Sequence, residues 1–196
     1  MIAAERIAFL QMRIARFDDQ KAYEELYVSL YEYLYNFAWS FVKSKQLSEE
    51  IVSDVFIKVW QKRSTLESIE NFKVYLYVVA KNISLNYVGK NKTLTYSDIR
   101  DFSAELISTY SDPEQLLITS DMMQLINNAV AQLPTRCRLI FRLVKEDRMK
   151  CREVAEILQI SIKTVENQVA IAVRKIGNAV KFDIGRALAS PSRPIH

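Results

Sequence analysis

With 196 residues, 49% of them hydrophobic and 11% aromatic, the chain can bury one large core or two small ones and is not disordered overall. Only 3 Gly and 4 Pro leave long segments without a breaker, which predicts an all-α protein. One histidine (His196) and two unclustered cysteines (Cys137 and Cys151) exclude Ser-His-Asp and Cys-His catalysis, a disulfide framework and most zinc sites. The glycines stand alone, so no Gly-rich phosphate loop exists, and no metal, cofactor or catalytic centre is expected.

The net charge of +4 is unevenly spread: residues 1–92 carry +2, residues 93–121 carry −5 and residues 122–196 carry +7. A basic C-terminal unit suits a polyanionic partner, although a solvated basic face has the same composition.

The chain opens on an amphipathic helix over 2–16, with Ile7, Leu10 and Ile14 on one side. Glu5, Arg6, Arg13 and Arg16 interrupt it, so it reads as neither a signal peptide nor a membrane span, and a cytoplasmic protein is expected. Asp18 and Asp19 suit the start of a second helix over 20–43, whose wide apolar face includes five tyrosines. Ser48, followed by Glu49 and Glu50, predicts the cap of a third helix running to 63. Ile51, Val52, Val55, Phe56 and Val59 form its inner side; Asp54, Lys58 and Gln61 face outward and Trp60 lies on the border. A polar loop over 64–71 leads to a fourth helix over 72–90, with Leu76, Val79, Ala80 and Ile83 as its core.

That fourth helix carries Tyr75, Tyr77 and Tyr87 among Lys73, Lys81 and Lys90, with Asn82 and Asn86 one turn apart. Rings stack on unpaired bases, amides bond base edges and lysines track phosphates, which is the chemistry of a single-strand binder. A solvated helix with tyrosines half in the core has the same composition. Residues 93–112 form an acidic linker, and a second domain spans 113–182, with helices over 113–132 and 135–145 and a loose tail over 183–196.

Arg152 to Ile176 reads as two helices at a sharp turn. Val154, Ala155, Ile157 and Leu158 form one apolar face, and Ser161 is a good N-cap for the helix that follows. Val165, Val169, Ala172 and Ile176 are its buried stripe. Lys163, Glu166, Asn167, Ala170 and Arg174 remain outside, flanked by Thr164. A cation for phosphate, amide and carboxylate groups for base edges and no blocking bulk suit entry into a major groove. An ordinary helical hairpin with a polar face is the plain alternative.

In this order, the stretches EEIVSDVFIKVWQKR, NFKVYLYVVAKNISLNYVGKNK, LPTRCRLIFRLV and REVAEILQISIKTVENQVAIAVRKI resemble the bacterial extracytoplasmic-function (ECF) sigma factors of the sigma-70 superfamily. The resemblance covers residues 20–92 and 120–178. It implies two small helical domains joined by a flexible linker, 1–92 binding core RNA polymerase and the minus-ten element and 113–182 reading the minus-thirty-five element. Asp54, Phe56, Lys58, Trp60 and Gln61 then dock on the clamp helices of the largest polymerase subunit. Lys73, Tyr75, Lys81, Asn82 and Asn86, with the loop 64–71, hold the minus-ten element. Glu166, Asn167 and Ala170 face bases of the minus-thirty-five element, with Lys163, Thr164 and Arg174 on phosphates. An anti-sigma factor is an implied partner and a small-molecule substrate is not. The two apolar faces are also able to close on each other in the free state, hiding the polymerase surface. A stand-alone helix-turn-helix regulator with an N-terminal sensor domain, or an interaction scaffold, are the readings of other classes.

Three positions depart from the family pattern. Gln159 stands in the turn where glycine is frequent, which predicts a left-handed residue there. Lys150 and Cys151 replace the usual polar cap and aromatic, which weakens the start of the first helix. Glu166 repels phosphate but accepts from a cytosine amino group.

Overall fold

The computed structural model describes residues 3–90 and 120–189, and the elements within them are helical. The first unit comprises α1 (Ala4–Phe17), α2 (Gln20–Val42), α3 (Lys45–Gln61), a 3-10 helix (Arg63–Ser68) and α4 (Phe72–Lys90). The second comprises α5 (Ser120–Ala131), α6 (Thr135–Lys145), α7 (Cys151–Leu158) and α8 (Ile162–Ala189). The acidic linker expected at 93–112 and the helix start expected at 113 lie outside the described residues.

α2 is the central beam of the first unit. Leu26, Leu30 and Leu34 recur every four residues and are fully buried, each contributing about 2 kcal/mol of apolar burial. Asp19 caps this helix: its Oδ1 accepts from the backbone N–H of Lys21 at 3.0 Å and of Ala22 at 3.1 Å. The Ala22 N–H and the Arg13 guanidinium hold its carboxyl below the usual carboxylate range. α2 ends where Lys43 turns left-handed. Burial, with Arg138 and Arg142 of α6 nearby, pushes the Lys43 ammonium down to about 8.

Three boundaries differ from the sequence reading. The cap of α3 is Ser44, one turn before Ser48, and its Oγ accepts from the Leu47 N–H at 3.4 Å. Ser48 is buried inside the helix and donates back to the Ser44 carbonyl at 2.7 Å. The loop expected over 64–71 contains the 3-10 helix, because Leu66 inserts into the core. Gln11 of α1 holds it, donating from Nε2 to the Leu66 carbonyl at 2.6 Å and the Ile69 carbonyl at 2.9 Å. Ion pairs of Arg16 with Glu67 and Arg63 with Asp18 close the same corner. Finally, α8 continues to Ala189, through the boundary expected at 182.

The two units share one apolar core. Phe72, Val74, Leu76 and Tyr77 of α4 belong to the same buried cluster as Val154, Ala155 and Ile157 of α7. Closure of the two faces is thus present, but it covers α4 rather than the outward side of α3.

Candidate nucleic-acid and polymerase interfaces

The helix-turn-helix is built as its sequence requires. α7 buries Val154, Ala155 and Ile157. Its start is firmer than Lys150 and Cys151 suggest, because Glu153 Oε2 accepts from the Lys150 backbone N–H at 2.8 Å. Gln159 takes φ 54°, the left-handed turn expected there, and the Ile160 N–H returns to the Ala155 carbonyl at 3.0 Å. A side chain at this φ carries strain that glycine lacks. Gln159→Gly is expected to raise stability by about 0.5–1 kcal/mol in chemical denaturation. A loss of stability would show that the turn is relaxed.

Ser161 caps α8, accepting from the Thr164 N–H at 3.0 Å. Its hydroxyl also meets Thr164 Oγ1 at 2.8 Å, so Thr164 helps shape the turn and is half-buried. Val165 and Ala172 are buried, and Lys163, Glu166, Asn167, Ala170 and Arg174 are all exposed along one side. Lys163 and Glu166 lie 3.8 Å apart in an exposed pair that costs little to break. Val173, 51% exposed, extends this side and escaped the sequence reading. Its spacing of three from Ala170 and seven from Glu166 carries that signal.

The fourth helix divides its candidates. Asn82 and Asn86 are exposed. Tyr75 is half-buried and stacks on Phe72, with ring centroids 6.0 Å apart and planes 15° apart. It borders an open cleft whose far side is formed by Arg152 and Glu156 of α7. Lys73 is half-buried, donates from Nζ to the Asp147 carbonyl at 2.6 Å, and its ammonium is pushed down by burial. Lys81 is only 6% exposed, and burial lowers its pKa too. A cation so placed does not track phosphates in this arrangement, which corrects the reading of Lys81. Tyr77 also departs from the single-strand reading, since its ring is fully buried and its hydroxyl donates to Asp147 Oδ2 at 2.7 Å.

On α3, Lys58 and Gln61 are exposed and Asp54 is half-buried, with the Tyr87 hydroxyl 3.4 Å from its Oδ2. Trp60 is half-buried between the Tyr23 ring at 5.1 Å and the Arg63 guanidinium at 4.8 Å. Phe56 is 1% exposed, with the Tyr27 ring at 4.7 Å and the Tyr23 ring at 6.0 Å. It supports this surface from beneath and does not reach a partner, which corrects its assignment as a contact. Ile57, 50% exposed, fills the gap between Asp54, Lys58 and Gln61 at helical spacing and was missed.

A capped helix-turn-helix with an open polar side, joined to a second helical unit, is the architecture of a DNA-binding transcription protein. Residues 26–93 match the family model Sigma-70 region 2, and residues 123–176 match Sigma-70, region 4. The ECF RNA polymerase sigma-E factor of Escherichia coli (strain K12) is 25% identical over 139 residues, covering 67% of this chain and 73% of that protein. The ECF RNA polymerase sigma factor SigW of Bacillus subtilis (strain 168) is 24% identical over 129 residues, covering 62% and 69%. Two solved structures share the fold at 19% identity. CnrH in complex with the cytosolic domain of CnrY gives a TM-score of 0.54, covering 91% of this chain and 99% of that one. The sigma factor RpoE in complex with the anti-sigma factor NepR from Bartonella quintana gives 0.56, covering 83% and 99%. The chain belongs to the ECF group of the sigma-70 family. Among the described residues, no helix is long and apolar enough to cross a membrane.

Proposed function

We propose that this protein is a promoter-specificity subunit that binds core RNA polymerase, directs it to a two-part promoter and is not itself an enzyme. The polymerase performs phosphoryl transfer; this chain supplies recognition, in the cytoplasm. The observation that carries the reading is a Ser-capped helix-turn-helix with an open polar face on α8, following a region 2 unit in the same chain. Glu166, Asn167 and Ala170 read base edges of the minus-thirty-five element, while Lys163 and Arg174 hold phosphates and Thr164 shapes the turn. Tyr75, Asn82 and Asn86 engage the melted minus-ten strand, joined by Lys73 once it leaves Asp147. Asp54, Lys58 and Gln61, with the edge of Trp60, dock on the polymerase clamp helices, and Ile57 adds apolar contact. An anti-sigma partner is part of the same reading, by likeness to the RpoE complex.

Transcription in vitro with core polymerase and a promoter library tests this. The chain is expected to support initiation only with core polymerase. Asp54→Ala with Gln61→Ala should lower polymerase affinity about tenfold, at ~1.4 kcal/mol per decade. Glu166→Ala should relax base preference at one minus-thirty-five position, at about 1–3 kcal/mol. Specific duplex binding by the free chain, without initiation, would favour the regulator reading instead.

A further inference from the structure

We infer that the acidic corner formed by Asp147 and Glu153 is an internal docking surface for the start of α4, and that it keeps the free chain closed to minus-ten DNA. The inference rests on the promoter-reading role proposed for α4.

Hydrogen bonds cross between the units at the start of α4. The Tyr77 hydroxyl donates to Asp147 Oδ2 at 2.7 Å. Lys73 Nζ donates to the Asp147 carbonyl at 2.6 Å. Asn71 Nδ2 donates to Glu153 Oε1 at 2.8 Å. The acceptors are carboxyl and carbonyl oxygens, and oxygen acceptors are also what phosphates and base edges offer. The corner therefore stands in for nucleic acid.

The Asn71–Glu153 bond joins two helix caps. Asn71 Oδ1 accepts from the Val74 N–H at 3.2 Å, at the first turn of α4. Glu153 uses its other oxygen on the Lys150 N–H, at the first turn of α7. Each side chain thus serves its own helix and the other unit at once. Beneath the polar bonds, the apolar cluster continues from Phe72, Val74 and Tyr77 into Met149, Val154 and Ala155. Both the Lys73 cation and the apolar side of the α4 start are covered, so a strand and the C-terminal unit compete for one surface.

Two variants test the closure in the full-length free chain. Asn71→Asp keeps the cap of α4 and sets a carboxylate against Glu153, so it opposes closure. Its radius of gyration by small-angle scattering is expected to rise by about a tenth or more over wild type. Asp147→Ala removes the acceptor of Tyr77 without touching α4. It is expected to bind a fluorescein-labelled single-stranded DNA of mixed sequence at least about fivefold more tightly than wild type in anisotropy titrations. Circular dichroism checks that each variant is folded, and if Asp147→Ala is not, Asn71→Asp decides. Unchanged scattering for a folded Asn71→Asp, or unchanged DNA affinity for a folded Asp147→Ala, would overturn the inference. Failure of the promoter-reading role looks different: Asn71→Asp expands, yet no form initiates with core polymerase.

Discussion

Phe56→Ala is expected to destabilise the first unit by about 3–5 kcal/mol, a loss that urea denaturation resolves. The ring is 1% exposed and lies at the junction of α2 and α3, edge-on to Tyr23 and Tyr27. Truncation removes its burial and leaves a cavity that two tyrosines anchored on α2 fill only in part. Such a change is a large share of a typical domain's stability. Polymerase affinity should fall only as far as the folded fraction falls. Ile57→Ala, one residue on, is the counterpart: half-exposed, it should alter polymerase binding with little change in urea midpoint. If Phe56→Ala keeps its stability but loses polymerase, the ring is a contact after all.

A shift from pH 5 to pH 8 is expected to open the free chain, through Asp147. Burial is the main cause that raises this carboxyl from 3.8 to about 7; Glu146 adds to it, while Tyr77, Lys73 and Arg142 oppose it. Tyr77 and Lys73 face it from α4, and Arg142 and Glu146 from the end of α6. In an opened chain the carboxyl returns toward its ordinary value. The closed form's advantage is therefore fully present below about pH 4, shrinks as pH rises toward 7 and is constant above it. The full swing is on the order of 4 kcal/mol, about three decades of protonation at ~1.4 kcal/mol each. Scattering across pH 5–8 should show expansion that levels off near pH 7. Asp147→Asn keeps an acceptor for Tyr77 and has no proton to lose, so its curve should be flat and compact. A wild-type curve as flat as that of Asp147→Asn would remove Asp147 as the titrating group.

The features legible in the sequence are those decided within one helix. The period of Val165 and Ala172 separated the buried and open sides of α8, and Ser161 announced its cap. Gln159 followed from the turn itself, since a chain reversing there needs a left-handed residue. What stayed hidden depends on distant partners. Lys81 and Tyr77 lie on the helix that looked richest in nucleic-acid chemistry, yet both are buried. The acceptor of Tyr77, Asp147, lies 70 residues further along, and periodicity in α4 carries no trace of it. Phe56 was placed correctly on the inner side of α3, but family likeness then also made it a contact. Ser44 and Ser48 are both good caps by type, and the acids after Ser48 favoured the wrong one.

Gln11 bears on where this protein can be divided. The region 2 match begins at residue 26, which would leave α1 outside the unit. Yet the amide of Gln11 serves two carbonyls of the segment just before α4, and Ile7, Leu10 and Ile14 belong to the buried core. A fragment trimmed to the matched residues would bare the flank of Leu66 and release the turn that leads into α4. The inherited module is thus shorter than the folding unit, and the extra helix acts as a splint whose removal would be misread as a loss of DNA recognition.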